Sequence, residues 1–186
     1  AAIHVLDKIG MENVLEEDTR LTHYCLEEML KVPEMVIYGE TCMNTCPRAG
    51  TISFNIKRLN HGLVAAILND YFNIAVRNEC FCAHPYVEKM LELTHRLQIY
   101  EARSKNISNW HTEPWMGMVR VSFGLYNTKE DVNQFIYAIK DIISRHDHYA
   151  KHYSINDKGD YEHKAFQFSC NEYFSLSQSV QNELDI

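Results

Sequence analysis

Scarcity in this sequence excludes more than abundance does. Only 7 glycines and 4 prolines occur among 186 residues, and no internal repeat or low-complexity tract is visible. No apolar run approaches the roughly 20 residues that a membrane-spanning helix requires, so no membrane partner is expected. No basic segment followed by an apolar stretch opens the chain, so no secretory signal is read and a cytoplasmic setting is expected. Positive charge is also short: 18 Lys and Arg stand against 25 Asp and Glu, for a formal net charge of −7. Without a basic stripe to track phosphates, nucleic acid is not an expected partner. The glycine fingerprint of dinucleotide sites and the P-loop are both absent, as are the zincin HExxH and the GxSxG elbow. Function must therefore be read from cysteines, histidines and arginines.

What remains is an ordinary globular composition, 46% apolar and 23% charged. A chain of this length buries roughly 70% of its unfolded surface, enough for a core without disulfide staples. One domain with room for appended elements is expected. The chain opens Ala1-Ala2-Ile3-His4 without an initiator Met, apparently within a helix, which reads as a piece of a longer protein. The 6 cysteines are Cys25, Cys42, Cys46, Cys80, Cys82 and Cys170. They are read as reduced thiols, and the Asn106-Ile107-Ser108 sequon as chance.

Apolar spacings of three and four from Val14 to Leu30 predict a helix over 12–32, stopped by Pro33. Met35–Tyr38 and the alternating Thr51–Ile56 read as strands around a loop at 40–50. A short apolar helix follows at 61–72, then a brief strand at 74–77 and a helix from Pro85 to about Leu97. Residues 98–116 read as irregular, and 118–123 as a strand. Thr128 with Asp131 three residues on has capping-box character and opens a helix to about Arg145. Beyond it, 156–160 is turn material, 161–169 a possible strand and 175–184 a short helix. The order predicts an α/β or α+β layer, a small mostly antiparallel sheet covered by helices.

Four constellations can carry chemistry. Cys80 and Cys82 lie in Arg77-Asn78-Glu79-Cys80-Phe81-Cys82-Ala83-His84-Pro85, between a strand and a helix N-terminus. A helix dipole and a nearby Arg both favour a thiolate there, although free cysteines are more commonly small core hydrophobes. Cys42, Cys46, Cys80 and Cys82 offer four thiolates for zinc, with spacings unlike the usual paired CxxC, or belong to two unrelated loops. His146, His148 and His152 share spacings that suit a metal site or a solvated helix end. Arg120 sits inside the apolar run Met118-Val119-Arg120-Val121. It either salt-bridges an internal carboxylate or waits for a substrate carboxylate, which its planar fork fits bidentately.

Taken together, several of these segments resemble the C-terminal part of class V aminotransferase-type enzymes, in the cysteine desulfurase and selenocysteine lyase branch. The branch carries approximately Arg-x-Gly-x-x-Cys-Ala-x-Pro where this chain has Arg77 to Pro85. Its strand arginine and following Tyr-Asn-Thr are matched by Arg120 and Tyr126-Asn127-Thr128, and its Gly-x-x-Ser-Phe strand by Gly50 to Phe54. The Cys-Phe-Cys-Ala form also resembles molybdenum-cofactor-sulfurase-like members. Order and spacing hold over about 1–145.

The resemblance implies the small domain of a fold type I enzyme dependent on pyridoxal 5'-phosphate. Residues 1–145 would form that domain, including an interdomain helix, and 146–186 a C-terminal extension. An N-terminal domain would hold the cofactor and its Schiff-base lysine, since no lysine here stands in such a motif. Cys82 would be the nucleophile that takes sulfur or selenium from cysteine or selenocysteine as a persulfide. Arg120 would clamp the substrate carboxylate, and Arg77 would stand at the site's edge. An amino-acid substrate, the chain's own N-terminal domain, a homodimeric partner and a sulfur-acceptor protein are implied. Two departures stand out: Glu79 replaces a Gly that suggests positive φ, and Phe81 replaces a histidine common in the branch. Alternatives are a class V aminotransferase or lyase that does not use Cys82, and a stand-alone zinc-binding or interaction domain.

Overall fold

A computed structural model describes residues 2–42, 48–91 and 116–166. Cys46, Cys170, the end of the predicted helix to Leu97, nearly all of 98–116 and the predicted helix at 175–184 lie outside the described residues.

The opening segment forms two helices, α1 (Ala2–Ile9) and α2 (Met11–Leu30). They meet at Gly10, whose φ of 87° is a conformation only glycine adopts without cost. Helix α2 turns one stripe inward, burying Leu21, Thr22, Cys25, Leu26 and Met29. Burial pushes the Cys25 thiol up to about 12, which marks it as a packing residue.

Strands β1 (Met35–Ile37), β2 (Thr51–Ile56) and β3 (Val119–Ser122) form an antiparallel sheet in the order β1-β2-β3. The alternation of β2 sends Ile52, Phe54 and Ile56 to one face and Ser53 and Asn55 to the other. Phe54 meets Phe135 edge-on, with ring centroids 5.7 Å apart. Helices α2, α3 (His61–Phe72) and α5 (Lys129–Ala150) cover that face and complete the main core. On the other face lies a smaller cluster of Tyr38, Cys80, Val87, Leu91, Met116 and Met118. Val87 and Leu91 come from α4, helical over 84–91.

Helix α3 has the predicted bounds. Its N-cap Asn60 accepts from the Gly62 N–H at 2.7 Å, and its C-cap Asn73 is left-handed at φ 55°. The predicted strand at 74–77 reduces to a single bridge, Arg77 with Arg120. Asn73 and Glu79, both at positive φ, bracket the extended run and leave little of it free to pair. The capping box forms as expected: Thr128 accepts from the Asp131 N–H, and the Asp131 carboxylate accepts from the Thr128 N–H at 2.9 Å. Those bonds hold the Asp131 carboxyl below the usual carboxylate range.

Helix α5 does not stop at Arg145. It bends there, at φ −122°, and runs on to Ala150. The continuation is held because Tyr149 is buried against α3, its ring 4.8 Å from Tyr71. A second small sheet follows, β4 (Tyr153–Ile155) paired with β5 (Tyr161–His163) across the predicted turn. Two bonds anchor it to α3: the Tyr153 hydroxyl donates to Asp70 at 2.9 Å, and the Tyr71 hydroxyl meets His163 Nε2 at 2.9 Å.

Candidate functional site

The segment after α3 reaches the edge of β3 and turns sharply. Arg77 and Arg120 exchange backbone bonds, Arg77 N–H to Arg120 O at 3.1 Å and Arg120 N–H to Arg77 O at 2.7 Å. The Met118 N–H donates to the Glu79 carbonyl at 3.0 Å. The chain then leaves the sheet through three non-glycine residues at positive φ: Glu79 at 75°, Phe81 at 51° and Cys82 at 61°. Each such residue costs roughly 1–2 kcal/mol, and strain of this kind clusters where a side chain must be held in one place. A turn closes from the Cys80 carbonyl to the Ala83 N–H at 2.7 Å, and α4 starts at 84. Glu79 therefore takes the positive-φ conformation that the glycine of the resembled pattern implies.

The turn separates the two thiols. Cys80 points into the smaller core and is 5% exposed, whereas Cys82 is exposed. Burial, Glu79 and Glu88 push the Cys80 thiol up, away from thiolate chemistry. Cys82 stands two residues before α4, at the helix end that favours negative charge. Cys80 thus takes the packing reading, while Cys82 stays open to solvent.

Arg120 lies beside this turn. Its guanidinium sits over the Phe81 ring, 4.9 Å from the centroid. Its Nε is buried with no hydrogen-bond partner. Among the described residues no carboxylate is paired with Arg120, and a buried guanidinium nitrogen without an acceptor suits an incoming anion. Arg77 is exposed, with its backbone fixed against Arg120. Cys82, Arg120 and Arg77 are thus gathered at one edge of the sheet, with Phe81 joining the first two.

The other constellations are not gathered in this way. Cys42 is exposed while Cys80 is buried. Among the described residues, no group of three or more His, Cys, Asp or Glu could hold a metal ion. His148 and His152 make ring contacts at 5.1 Å, and His152 stacks on His163 at 5.7 Å, so they pack the end of α5 and the turn after it against β5. His146 instead contacts the Ile143 carbonyl.

The family model described as Aminotransferase class-V matches residues 1–135. The chain belongs to this family. Among its relatives, a probable cysteine desulfurase of Staphylococcus epidermidis is 30% identical over 143 residues, covering 75% of this chain and 27% of the relative. A cysteine desulfurase of Yersinia pseudotuberculosis is 28% identical over 142 residues, covering 76% and 28%. Two solved cysteine desulfurases share the fold. The apo structure from Thermococcus onnurineus has a TM-score of 0.58 at 26% identity, covering 76% of this chain and 29% of that one. The Escherichia coli structure has a TM-score of 0.55 at 18% identity, covering 77% and 28%. This class V chain spans little more than a quarter of the length of these relatives.

Two residues at the site carry weight that the sequence did not reveal. Phe81, visible only as a replacement for histidine, is the platform under Arg120. Arg48 looks like a loop arginine between Pro47 and Gly50, yet its Nη2 donates to the Tyr38 carbonyl at 2.6 Å. A burial signal was needed to find either one.

Proposed function

We propose that this chain is the small domain of a pyridoxal-phosphate-dependent cysteine desulfurase-like enzyme, residues 1–145 forming the domain and 146–186 an extension. The observation that carries the reading is the turn at 79–82. It buries Cys80, exposes Cys82, and sets Phe81 under an arginine whose Nε has no acceptor.

In this reading Arg120 receives the carboxylate of the substrate amino acid and fixes its orientation. The exposed Cys82 thiolate attacks the substrate's sulfur. A sulfur–sulfur bond forms and the substrate's carbon–sulfur bond breaks. The electron pair stays with the carbon, which takes up a proton to leave alanine, while Cys82 keeps the persulfide. The cofactor, held by the part of the enzyme outside this chain, supplies the electron sink when bound. The strained turn limits the motion of Cys82, and Arg77 borders the opening. A second protein then takes the sulfur from the exposed persulfide. The enzyme works in the cytoplasm as a homodimer.

The test is sulfide release from L-cysteine by the full-length parent with its cofactor, wild type against Cys82→Ser and Cys80→Ser. Loss in the first variant alone supports the reading. Unchanged release by Cys82→Ser shows that the chemistry bypasses this thiol.

A further inference from the structure

Arg120 presents its donors from the end of a long side chain. In β3 its neighbours Val119 and Val121 are buried, and Arg120 is half-buried on the opposite face. Its backbone is fixed by the two bonds exchanged with Arg77. Its head is fixed differently. Among the described residues no carboxylate is paired with it, and the buried Nε finds no acceptor. What meets the guanidinium is the Phe81 ring, whose centroid lies 4.9 Å from Cζ. A carboxylate partner would fill N–H donors that lie in the guanidinium plane. A ring attracts the cation through its π-face and fills none of them. Phe81 therefore restrains Arg120 and leaves its donor edge open for an incoming carboxylate.

The same ring belongs to the turn that carries Cys82. Phe81 and Cys82 are the two central residues of the turn closed from the Cys80 carbonyl to the Ala83 N–H. Both are at positive φ, 51° and 61°. That is the pattern of a type I′ turn, which favours Gly, Asn and Asp. Neither Phe nor Cys relieves the strain locally, so contacts outside the turn must hold its shape. Cys82 is exposed. Phe81 is half-buried, packed against the smaller core as well as under Arg120. One turn thus carries both the nucleophile and the support of the arginine.

We infer that Phe81 is a positioning residue: its ring sets the plane of the Arg120 guanidinium and couples the carboxylate clamp to the Cys82 turn. The inference deepens the proposed function and rests on it for the roles of Arg120 and Cys82. Such coupling is reciprocal, so a carboxylate held at Arg120 also restrains Cys82. A histidine in the place of Phe81 would serve only while neutral, because an imidazolium repels the guanidinium.

The tests use the full-length parent with its cofactor. The first reads acetate affinity by calorimetry, without turnover. Phe81→Leu keeps apolar bulk and removes the π-face; it weakens acetate roughly fivefold, the size of a partly desolvated cation–π contact. Phe81→Tyr restores the wild-type affinity. Phe81→His matches the wild type at about pH 8 and falls progressively behind it as pH drops through about 6.5, and it serves if Phe81→Leu fails to fold. The second test reads alkylation of Cys82 by iodoacetamide, followed on its peptide by mass spectrometry. Saturating acetate slows alkylation in the wild type and leaves it unchanged in Phe81→Leu. Undiminished acetate affinity in Phe81→Leu, beside a weakened Arg120→Gln, overturns the Phe81 role and leaves the proposed function standing. Undiminished affinity in Arg120→Gln overturns the clamp itself, and the Phe81 role falls with it. Slowing by acetate that persists in Phe81→Leu overturns the coupling to Cys82.

Discussion

Replacing Glu79 with glycine is expected to stabilise the protein, which is uncommon for a substitution in a packed turn. Glu79 holds φ 75°. A left-handed conformation costs an L-residue roughly 1–2 kcal/mol, and glycine escapes that cost. Glycine also has more freedom to lose on folding, which costs about 0.5–1 kcal/mol. The backbone bond from the Met118 N–H to the Glu79 carbonyl survives the change. The net gain is about 0.5–1 kcal/mol, a rise of roughly 1–4 °C in Tm for a chain of this size. Glu79→Ala is the control, because alanine removes the charge and keeps the strain. Both variants relieve the Cys80 thiol of one of the negative charges that push it up. Only the glycine variant melts higher, as read by thermal denaturation of both alongside the wild type. A Glu79→Gly protein that melts no higher than Glu79→Ala would refute the strain argument and, with it, the view of 79–82 as a strained turn.

Other expectations concern the rest of the scaffold. Burial pushes the His61 imidazole down to about 4 from an ordinary value near 6.5, against the opposing bond to the Met116 backbone. The folded state therefore binds this proton more weakly than the unfolded chain does. The associated stability is complete above pH 6.5 and is lost as pH falls towards 4, by up to about 3 kcal/mol. Denaturant titrations across that range should show the loss, and His61→Gln should flatten it. Tyr153→Phe deletes the hydroxyl bonded to Asp70 at 2.9 Å. It should cost about 1.5–3 kcal/mol and speed amide exchange in β4 and β5 ahead of the main sheet. Thr128→Ala removes the cap of α5 and should lower stability by about 1 kcal/mol in the same titrations.

Much of this fold is legible because single local rules decide it. The strict alternation of Thr51–Ile56 and the apolar run over 61–72 place both elements at their predicted bounds. Thr128 and Asp131 announce α5 for the same reason, since a capping box is closed by residues three apart. Where local rules mislead, a tertiary contact prevails. Helix α5 continues through His146 because Tyr149 packs on Tyr71, a contact no helical periodicity reveals. Ile74 and Val76 look like a strand, yet they pack against the main core while the chain pairs with β3 only at Arg77.

The candidate site shows the same division. The resemblance singles out Cys82, Arg120 and Arg77, but the opposite exposures of Cys80 and Cys82 are not legible in the sequence, because they arise from the positive φ angles of the turn. The choice between an internal ion pair and an open guanidinium at Arg120 is not legible either; among the described residues its buried Nε finds no acceptor. Arg48 escaped notice because an arginine in a polar loop reads as solvated until its burial is seen.

The most direct test of the central claim is to locate the sulfur itself. The full-length parent, loaded with cofactor and given one brief exposure to L-cysteine, is alkylated, digested and weighed by mass spectrometry. The account predicts a gain of one sulfur atom on the peptide carrying Cys82, retained in Cys80→Ser and absent from Cys82→Ser. Sulfur found on another cysteine, or released by Cys82→Ser at the wild-type rate, would contradict it.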